Sequence, residues 1–358
     1  MSAWSWWRRL WPAQTDDSAT DASVFASSPQ PSTGYATPLD GAEAVLAEPP
    51  MKPAGILRPQ PPERLFSQRR LQQAWLAVKQ AGGGAGVDGV TLAEFARPEG
   101  GHLERLRREL VAGSYKPHPV RQVLVPKPGG GLRALGIWAL RDRVAQRAVY
   151  DLIAPSFEAI FLPCSFGFRP GRSVADAVRQ VCAHRDQHLR WILDGDIYHC
   201  FDEIDSTILM PLVRRRVRDP RLLRYVHGWL KADIFNSMDG ASQQAGVGQG
   251  SVLSPLLANV YLHEMDVALT RQGLALVRYA DDFVVCCRRK SEADAARQAA
   301  AAVLKTLRLR LRPDKTGIVH LDEGLEWLGY FFLRNECYPL RRTQNVERRA
   351  GSREQGDI

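Results

Sequence analysis

Apolar and polar positions change their rhythm several times along this 358-residue chain. Residues 12 to 62 show no hydrophobic period and are rich in Pro, Ser, Thr, Ala and Asp, a composition that buries too little apolar surface to offset chain entropy. A disordered leader is predicted there. From Pro62 onward, Leu65, Leu71, Trp75, Leu76 and Val78 predict a helix stopped by Gly82, Gly83 and Gly84. Leu103 to Val111 predicts a basic helix, Val120 to Val125 alternates like a strand, and Arg141 to Phe161 predicts a long, partly apolar helix. Ser173 is placed to cap a helix from Val174, and Trp191 to Ile197 reads as a buried strand. A glycine-rich stretch from Gly246 leads into an apolar helix ending near Leu262. Two short apolar runs, Leu274 to Val277 and Phe283 to Cys287, close on Ala280-Asp281-Asp282 and predict a β-hairpin. Ser291 and Asp294 suggest a capping box for an Ala-rich helix to about Leu304. Leu307, Leu309 and Leu311 alternate with Arg308, Arg310 and Arg312, predicting a strand with one apolar and one basic face.

The pattern leaves several groups positioned for chemistry. Asp281 and Asp282 stand at the hairpin tip, where successive strand residues point to opposite faces, so one of the two faces a site more directly. Taken alone, an Asp-Asp step is an ordinary solvated turn. Asp194 and Asp196 fall at the end of the buried strand, share a face by the period of two, and are not distinguished by spacing. Asp202 and Asp205 read as capping or turn acids. Lys127 and Arg133 flank the loop Pro128 to Leu132, whose glycines expose backbone amides, an arrangement suited to a phosphate chain but also common at solvated hairpin tips. Phe166 to Arg172 interleaves aromatic rings with arginines, which reads as base stacking plus phosphate contact.

Charge narrows the partners. The formal net charge is +9, and residues 1–60 hold four basic and six acidic side chains, so the positive excess lies wholly in the remainder. That favours a polyanion such as nucleic acid. The six cysteines show no CxxC pair or zinc-finger spacing, in keeping with a reduced, cytoplasmic protein. No apolar run reaches the roughly 18 residues of a membrane span. Trp4, Trp6, Trp7 and Trp11 beside Arg8 and Arg9 read as a small partner-binding or interfacial anchor. No internal repeat is present.

In order, the stretches GVDGVTLAEF, VPKPGGGLRALGI with RDRVAQ, SFGFRPGRS, DGDIYHCFDEID, GVGQGSVLSPLLANVYL, RYADDFVV, RPDKTGIV and EWLGYFF, spanning roughly residues 86 to 332, resemble bacterial reverse transcriptases of the group II intron type. The look is closest to relatives associated with CRISPR loci. The resemblance implies an α+β right-hand polymerase fold with fingers and palm, and nucleotidyl transfer supported by two Mg²⁺ ions, with Mn²⁺ as a substitute. Asp196, Asp281 and Asp282 match the family's metal-binding acids, which resolves the ambiguity at Asp194. Lys127 and Arg133 match residues gripping the incoming triphosphate, and Gln249 and Gly250 match a segment near template and nucleotide. Phe201 matches the side chain excluding a ribose 2′ hydroxyl, and Lys315 a lysine proposed to protonate pyrophosphate. Gly248 and Ala134 stand where the family usually has proline.

The implied layout is a leader over 1–62, fingers and the start of the palm over 63–190, palm over 191–340 and a basic tail over 341–358. The tail is too short for the family's helical thumb, so the thumb is expected to be absent or truncated, with thumb-like contacts supplied by a partner protein. No endonuclease domain is expected. The implied function is RNA-directed DNA synthesis on an RNA template from a DNA or RNA primer and dNTPs, serving CRISPR spacer acquisition or antiphage defence. The alternatives are a maturase-like RNA-binding protein and a polymerase that makes RNA or works without a template.

Overall fold

The computed structural model describes residues 55–97, 101–126, 132–236, 242–244 and 250–340. The expectations for the Trp-rich start, most of the leader and the basic tail lie outside these residues. At the centre is a four-stranded sheet in the order β6-β7-β3-β8, built from β3 (Trp191–Asp196), β6 (Ala275–Tyr279), β7 (Asp282–Cys287) and β8 (Gly317–His320), all neighbours antiparallel. Its apolar runs are nearly unbroken because both faces are covered. Leu193, Leu276, Phe283 and Val285 belong to one core, with Ala293, Ala296, Ala300 and Leu304 of the helix Lys290–Thr306. Ile192, Val277, Val284 and Cys286 belong to the other, with Ala177, Val178 and Val181 of the helix Val174–Asp186. Alternate strand residues thus sort into two cores, as strand geometry requires.

The helix Ser254–Arg271 is buried along most of its first three turns and packs on the helices Lys290–Thr306 and Ser206–Arg216 and on β6. Pro255 sits in its first turn, where no intrahelical N–H is needed. A second sheet has the order β2-β1-β4-β5, with β1 (Val120–Pro126) and β2 (Leu132–Ile137) forming a hairpin, and β4 (Asp233–Asn236) and β5 (Ser242–Gln244) another. β1 and β4 pair in parallel, so the chain returns to this sheet after building part of the central one. A small antiparallel sheet of β9 (Leu325–Trp327), β10 (Tyr330–Leu333) and β11 (Glu336–Pro339) follows. Among the described residues no helix is long and apolar enough to cross a membrane.

Two local expectations change. The Ala-rich helix starts at Lys290 with Arg289 as its cap residue and no side-chain cap; Glu292 instead accepts a hydrogen bond from the Arg288 N–H at 3.0 Å. Residues 307–312 are not a strand. Leu307 and Leu309 are buried and Arg308 and Arg310 exposed as the alternation requires, yet only Leu311 makes a bridge, to Ile197. Three of their arginines are engaged by nearby acids, Arg308 with Asp205, Arg310 with Glu203 and Arg312 with Asp314. Alternation specified burial, but no partner strand lies alongside to complete a ladder.

The two larger sheets meet where Gly250 passes the second. Gly250 has φ +120°, and a Cβ there would stand 2.0 Å from the Gly136 carbonyl oxygen of β2. The Gln146 side-chain oxygen secures the same joint, accepting from the Ser251 hydroxyl at 3.2 Å and the Val252 N–H at 3.1 Å. Further away, Asp142 of the helix Leu140–Glu158 accepts from the Tyr115 hydroxyl at 2.5 Å and the His118 N–H at 3.0 Å, while Trp229 donates to the Tyr115 oxygen at 2.9 Å. Burial pushes the Asp142 carboxyl up from 3.8 to about 6 against these hydrogen bonds.

Gly250→Ala should cost roughly 1–3 kcal/mol, the usual range for overpacking, read as a lower denaturant midpoint with an unchanged m-value. An unchanged midpoint would show that the joint yields freely. For Asp142, the folded state keeps a proton that the unfolded chain releases, so its contribution is fully present below pH 3.8 and is lost as pH rises through about 6. The stability of wild type relative to Asp142→Asn should therefore fall across that window, by on the order of 3 kcal/mol from the two-unit shift. A pH-independent difference between the two melting profiles would contradict this.

Candidate active site

Asp196 ends β3 and Asp282 begins β7, and the antiparallel register places them directly opposite each other. Cross-strand partners share a face, so both carboxylates, with Asp194 two residues back, stand on the side of the sheet that carries Ile192 and Val284. Asp194 faces Val284 and Gly317 across the strands, not another acid. Gly195 lies between the two aspartates on the opposite face, under the Phe283 ring, where a Cβ would stand 2.3 Å from ring carbon Cζ. No other residue lets that ring cross β3.

Asp281 occupies the two-residue loop Ala280–Asp281 between β6 and β7, whose last pair is Tyr279 with Asp282. Ala280 adopts φ +60°, a left-handed conformation costing an alanine about 1–2 kcal/mol. Surrounding contacts hold it there. Gly167 presses against the loop so closely that a Cβ on it would lie 2.3 Å from the Ala280 nitrogen. From below, Arg278 donates to the Ala280 carbonyl at 2.8 Å.

Arg278 is wholly buried and all five of its guanidinium hydrogens have acceptors. Nε donates to Asp266 Oδ1 at 2.7 Å and Nη2 to Asp266 Oδ2 at 2.6 Å, a bidentate fork. Nη2 also reaches the Ser165 hydroxyl at 2.8 Å, and Nη1 reaches Asn259 Oδ1 at 2.9 Å besides Ala280. Burial works against the charge on Arg278, but Asp266 outweighs it and the pKa is raised. Asn259 in turn donates to the Gly167 carbonyl at 2.8 Å, closing a ring around the hairpin loop. The Arg278 main chain also pairs with both Cys164 and Phe166 at 2.8 Å.

The third wall is the segment after the basic alternation. The Arg312 N–H donates to the Asp196 carbonyl at 2.8 Å, the Asp196 N–H donates to the Thr316 hydroxyl at 3.5 Å, and Lys315 Nζ stands 3.6 Å from the Asp196 carboxylate. Lys315 lowers the Asp282 carboxyl, which burial, then Asp281, Asp196 and Asp194, push well above the ordinary range. Burial followed by Asp196 lifts Asp194 to about 6. The site therefore holds more negative charge than its own groups neutralise. An all-oxygen donor set with surplus negative charge fits a hard divalent cation such as Mg²⁺, with Asp196, Asp281 and Asp282 as the residues that would hold it. Among the described residues no three His, Cys, Asp or Glu side chains stand in an arrangement that could hold a metal ion, so the fit rests on the chemistry of the acids and not on ligand geometry.

Phe201 lies in the one-turn helix Cys200–Glu203 just after β3, is buried, and meets the Phe168 ring edge-on at 6.3 Å. Gly250 sits at the joint described above. The Arg133 backbone pairs with Val125 in the β1–β2 hairpin, whereas Lys127 and Gln249 lie outside the described residues. Arg169 of the Phe166 to Arg172 stretch is engaged internally, which removes it from the expected phosphate contact, whereas Arg172 is partly exposed. Arg169 is buried, pairs with Glu158 at 2.9 Å, donates to the carbonyls of Leu162 and Ser165, and lies over the Phe161 ring. Arg172 donates to the Pro163 carbonyl and lies over Phe166. Asp205 caps the helix Ser206–Arg216 through the Thr207 N–H, as its position suggested. Sequence reasoning gave no role to Arg278, Asp266 or Asn259. The available signal was a charge inside the apolar run Leu276 to Tyr279 and a second, opposite charge on an apolar helix.

Residues 125–332 match the family model described as reverse transcriptase (RNA-dependent DNA polymerase). The chain is 36% identical over 288 residues to protein YkfC of Escherichia coli K12, covering 70% of this chain and 76% of YkfC. It is 26% identical over 314 residues to the group II intron-encoded protein LtrA of Lactococcus lactis, covering 69% of this chain and 52% of LtrA, so it spans about half of that relative's length. Telomerase from Candida albicans, solved in complex with a fragment of telomeric RNA, shares the fold with a TM-score of 0.50 over 70% of this chain and 50% of that one, at 12% identity. The shared architecture is the right-hand polymerase fold, and the matched segment carries both the β3 acid and the β6–β7 acid hairpin. The chain therefore belongs to the reverse transcriptase family.

Proposed function

We propose that this protein is an RNA-directed DNA polymerase that joins the 3′ oxygen of a primer to the α-phosphorus of a dNTP, releasing pyrophosphate as the bond between α- and β-phosphates breaks. The observation that carries the reading is Asp196 directly across from Asp282, with Asp281 in the adjoining loop, at the end of a rigid sheet. Asp196, Asp281 and Asp282 would hold Mg²⁺, or Mn²⁺ in its place, which when bound favours loss of the primer hydroxyl proton and offsets charge on the departing phosphate. Lys315, beside Asp196, is suited to give a proton to the leaving pyrophosphate. Phe201, wedged against Phe168, acts as the wall that a ribose 2′ hydroxyl would strike. Gly250 lets backbone approach the template and nucleotide. Lys127 and Arg133 are proposed for the triphosphate, and Gln249 for the segment near template and nucleotide, on the resemblance alone.

RNA template, DNA or RNA primer and dNTPs are the proposed partners, together with a protein that supplies thumb-like contacts. The proposed units are the leader 1–62, fingers and the start of the palm over 63–190, palm over 191–340, and a basic tail over 341–358. A setting in CRISPR spacer acquisition or antiphage defence rests on the sequence resemblance, whereas LtrA favours an intron-type setting; neighbouring genes separate the two. The likeness to LtrA, a group II intron-encoded protein, also favours a second reading in which the chain serves mainly to bind intron RNA. On that reading the acids are dispensable.

Purified protein with Mg²⁺ should extend a DNA primer on an RNA template. Asp196→Asn or Asp282→Asn should reduce extension by more than about 100-fold, exceeding the loss typical for groups that merely support metal ligands. RNA binding in a filter assay should persist in both variants. Undiminished extension by either variant would sink the polymerase reading, and loss of RNA binding with the acids would point to a folding defect. Phe201→Val should raise ribonucleotide incorporation relative to dNTPs in single-turnover assays, with little change in the dNTP rate. An unchanged ratio would remove Phe201 from the sugar wall.

A further inference from the structure

Asp196 and Asp282 lie on β3 and β7, each tied to the sheet by hydrogen bonds on both sides, whereas Asp281 lies in the loop before β7. The hairpin loop has no ladder of its own, and among the described residues the outer side of β6 beside it carries only the bridge between the Arg278 main chain and the segment at Ser165. The loop's position is set by Arg278, which alone joins Asp266 and Asn259 on the helix Ser254–Arg271, Ser165 on the preceding segment, and the loop carbonyl of Ala280. The N-terminal end of that same helix follows Gly250, which presses on β2, and its lead-in is held by Gln146. One rigid helix therefore carries at one end the segment proposed to meet the nucleotide and, along its length, the acceptors that place the acid hairpin.

We infer that Arg278 is a positioning residue for metal binding: its fork onto Asp266, Asn259, Ser165 and Ala280 fixes the hairpin loop, and with it Asp281 relative to the Asp196–Asp282 pair that the ladder sets, and so sets the affinity of the site for divalent cations. This rests on the polymerase reading above, and specifically on those three acids as metal ligands. Three features separate the inference from simple core packing. The guanidinium spends one donor on the loop carbonyl itself, beside the residue held at φ +60°. Asn259 uses its two ends on Arg278 and on Gly167, the residue pressed against the same loop. An ammonium cannot reproduce five donors in a planar fork, so lysine retains the charge but loses the geometry.

The test compares wild type, Arg278→Lys and Asn259→Ala in two measurements. The first is Mn²⁺ binding without nucleic acid, followed by the spin-resonance signal of free Mn²⁺; the second is primer extension across a Mg²⁺ titration. Both variants should need about 10-fold or more metal for half-saturation and half-maximal extension, within the 10–100-fold typical of groups supporting metal ligands. RNA affinity should be unchanged, and raised metal should restore much of the rate. Asn259→Ala keeps the Arg278–Asp266 pair, so it decides the matter if Arg278→Lys fails to fold. A lower melting temperature with unchanged metal midpoints in the folded variants would make the network structural only and overturn the inference. Wild type that binds no Mn²⁺ and extends no primer would overturn the polymerase reading itself, and this inference with it. Wild type that binds and extends normally, beside variants with unchanged midpoints, overturns the inference alone.

Discussion

The buried ion pair of Arg278 and Asp266 is the constraint on which the site depends. Both side chains are fully shielded from water, where an unpaired charge is very costly, and removing one partner of such a pair typically destabilises by about 3–5 kcal/mol. A well-packed apolar pair would serve stability as well or better. What an apolar pair lacks is direction. The guanidinium aims its donors at a helix, a loop and a neighbouring segment that approach from different parts of the chain, and only one arrangement of those pieces satisfies all five. The acid hairpin inherits its position from that arrangement.

The hairpin also carries strain and repulsion that this frame must resist. Ala280 is held left-handed, Gly167 and Gly195 leave no room for a side chain, and four aspartates share one end of the sheet with Lys315 as a cation lowering the Asp282 carboxyl. Each of these features costs stability when the protein stands alone. Each makes sense at a site whose charge balance is completed by a bound cation and a phosphate substrate. Strained backbone and crowded like charges concentrate where function requires them and are held in place by well-packed surroundings.

Close backbone approach adds to the shared apolar core in fixing the relation between the two larger sheets. Gly250 touches Gly136 almost atom to atom, and one side-chain oxygen of Gln146 accepts two hydrogen bonds beside it. Such a joint transmits position with little play. The parallel pairing of β1 with β4 reinforces it, because residues separated by more than a hundred positions in sequence must be brought together before the second sheet is complete.

Much of this was legible in the sequence. The helices from Gln68, His102, Leu140 and Val174, the strands β1, β3, β6 and β7, and the acid hairpin are all local signals, since period, glycine stops and capping residues act over a few positions. The aspartates stood out as charges at the ends of apolar strands, but by pattern alone they read as turn acids, and the family resemblance marked Asp196, Asp281 and Asp282 among them. Tertiary structure decided the rest. Register alone put Asp196, rather than Asp194, directly across from Asp282. Arg169 looked like a ligand contact until its carboxylate, carbonyl and ring partners came into view, and the alternation over 307–312 described burial with a single bridge to the end of β3. Arg278 shows the reason most clearly. Its acceptors lie 12, 19 and 113 residues away as well as two residues on, and no local pattern encodes which distant oxygen a buried donor will meet.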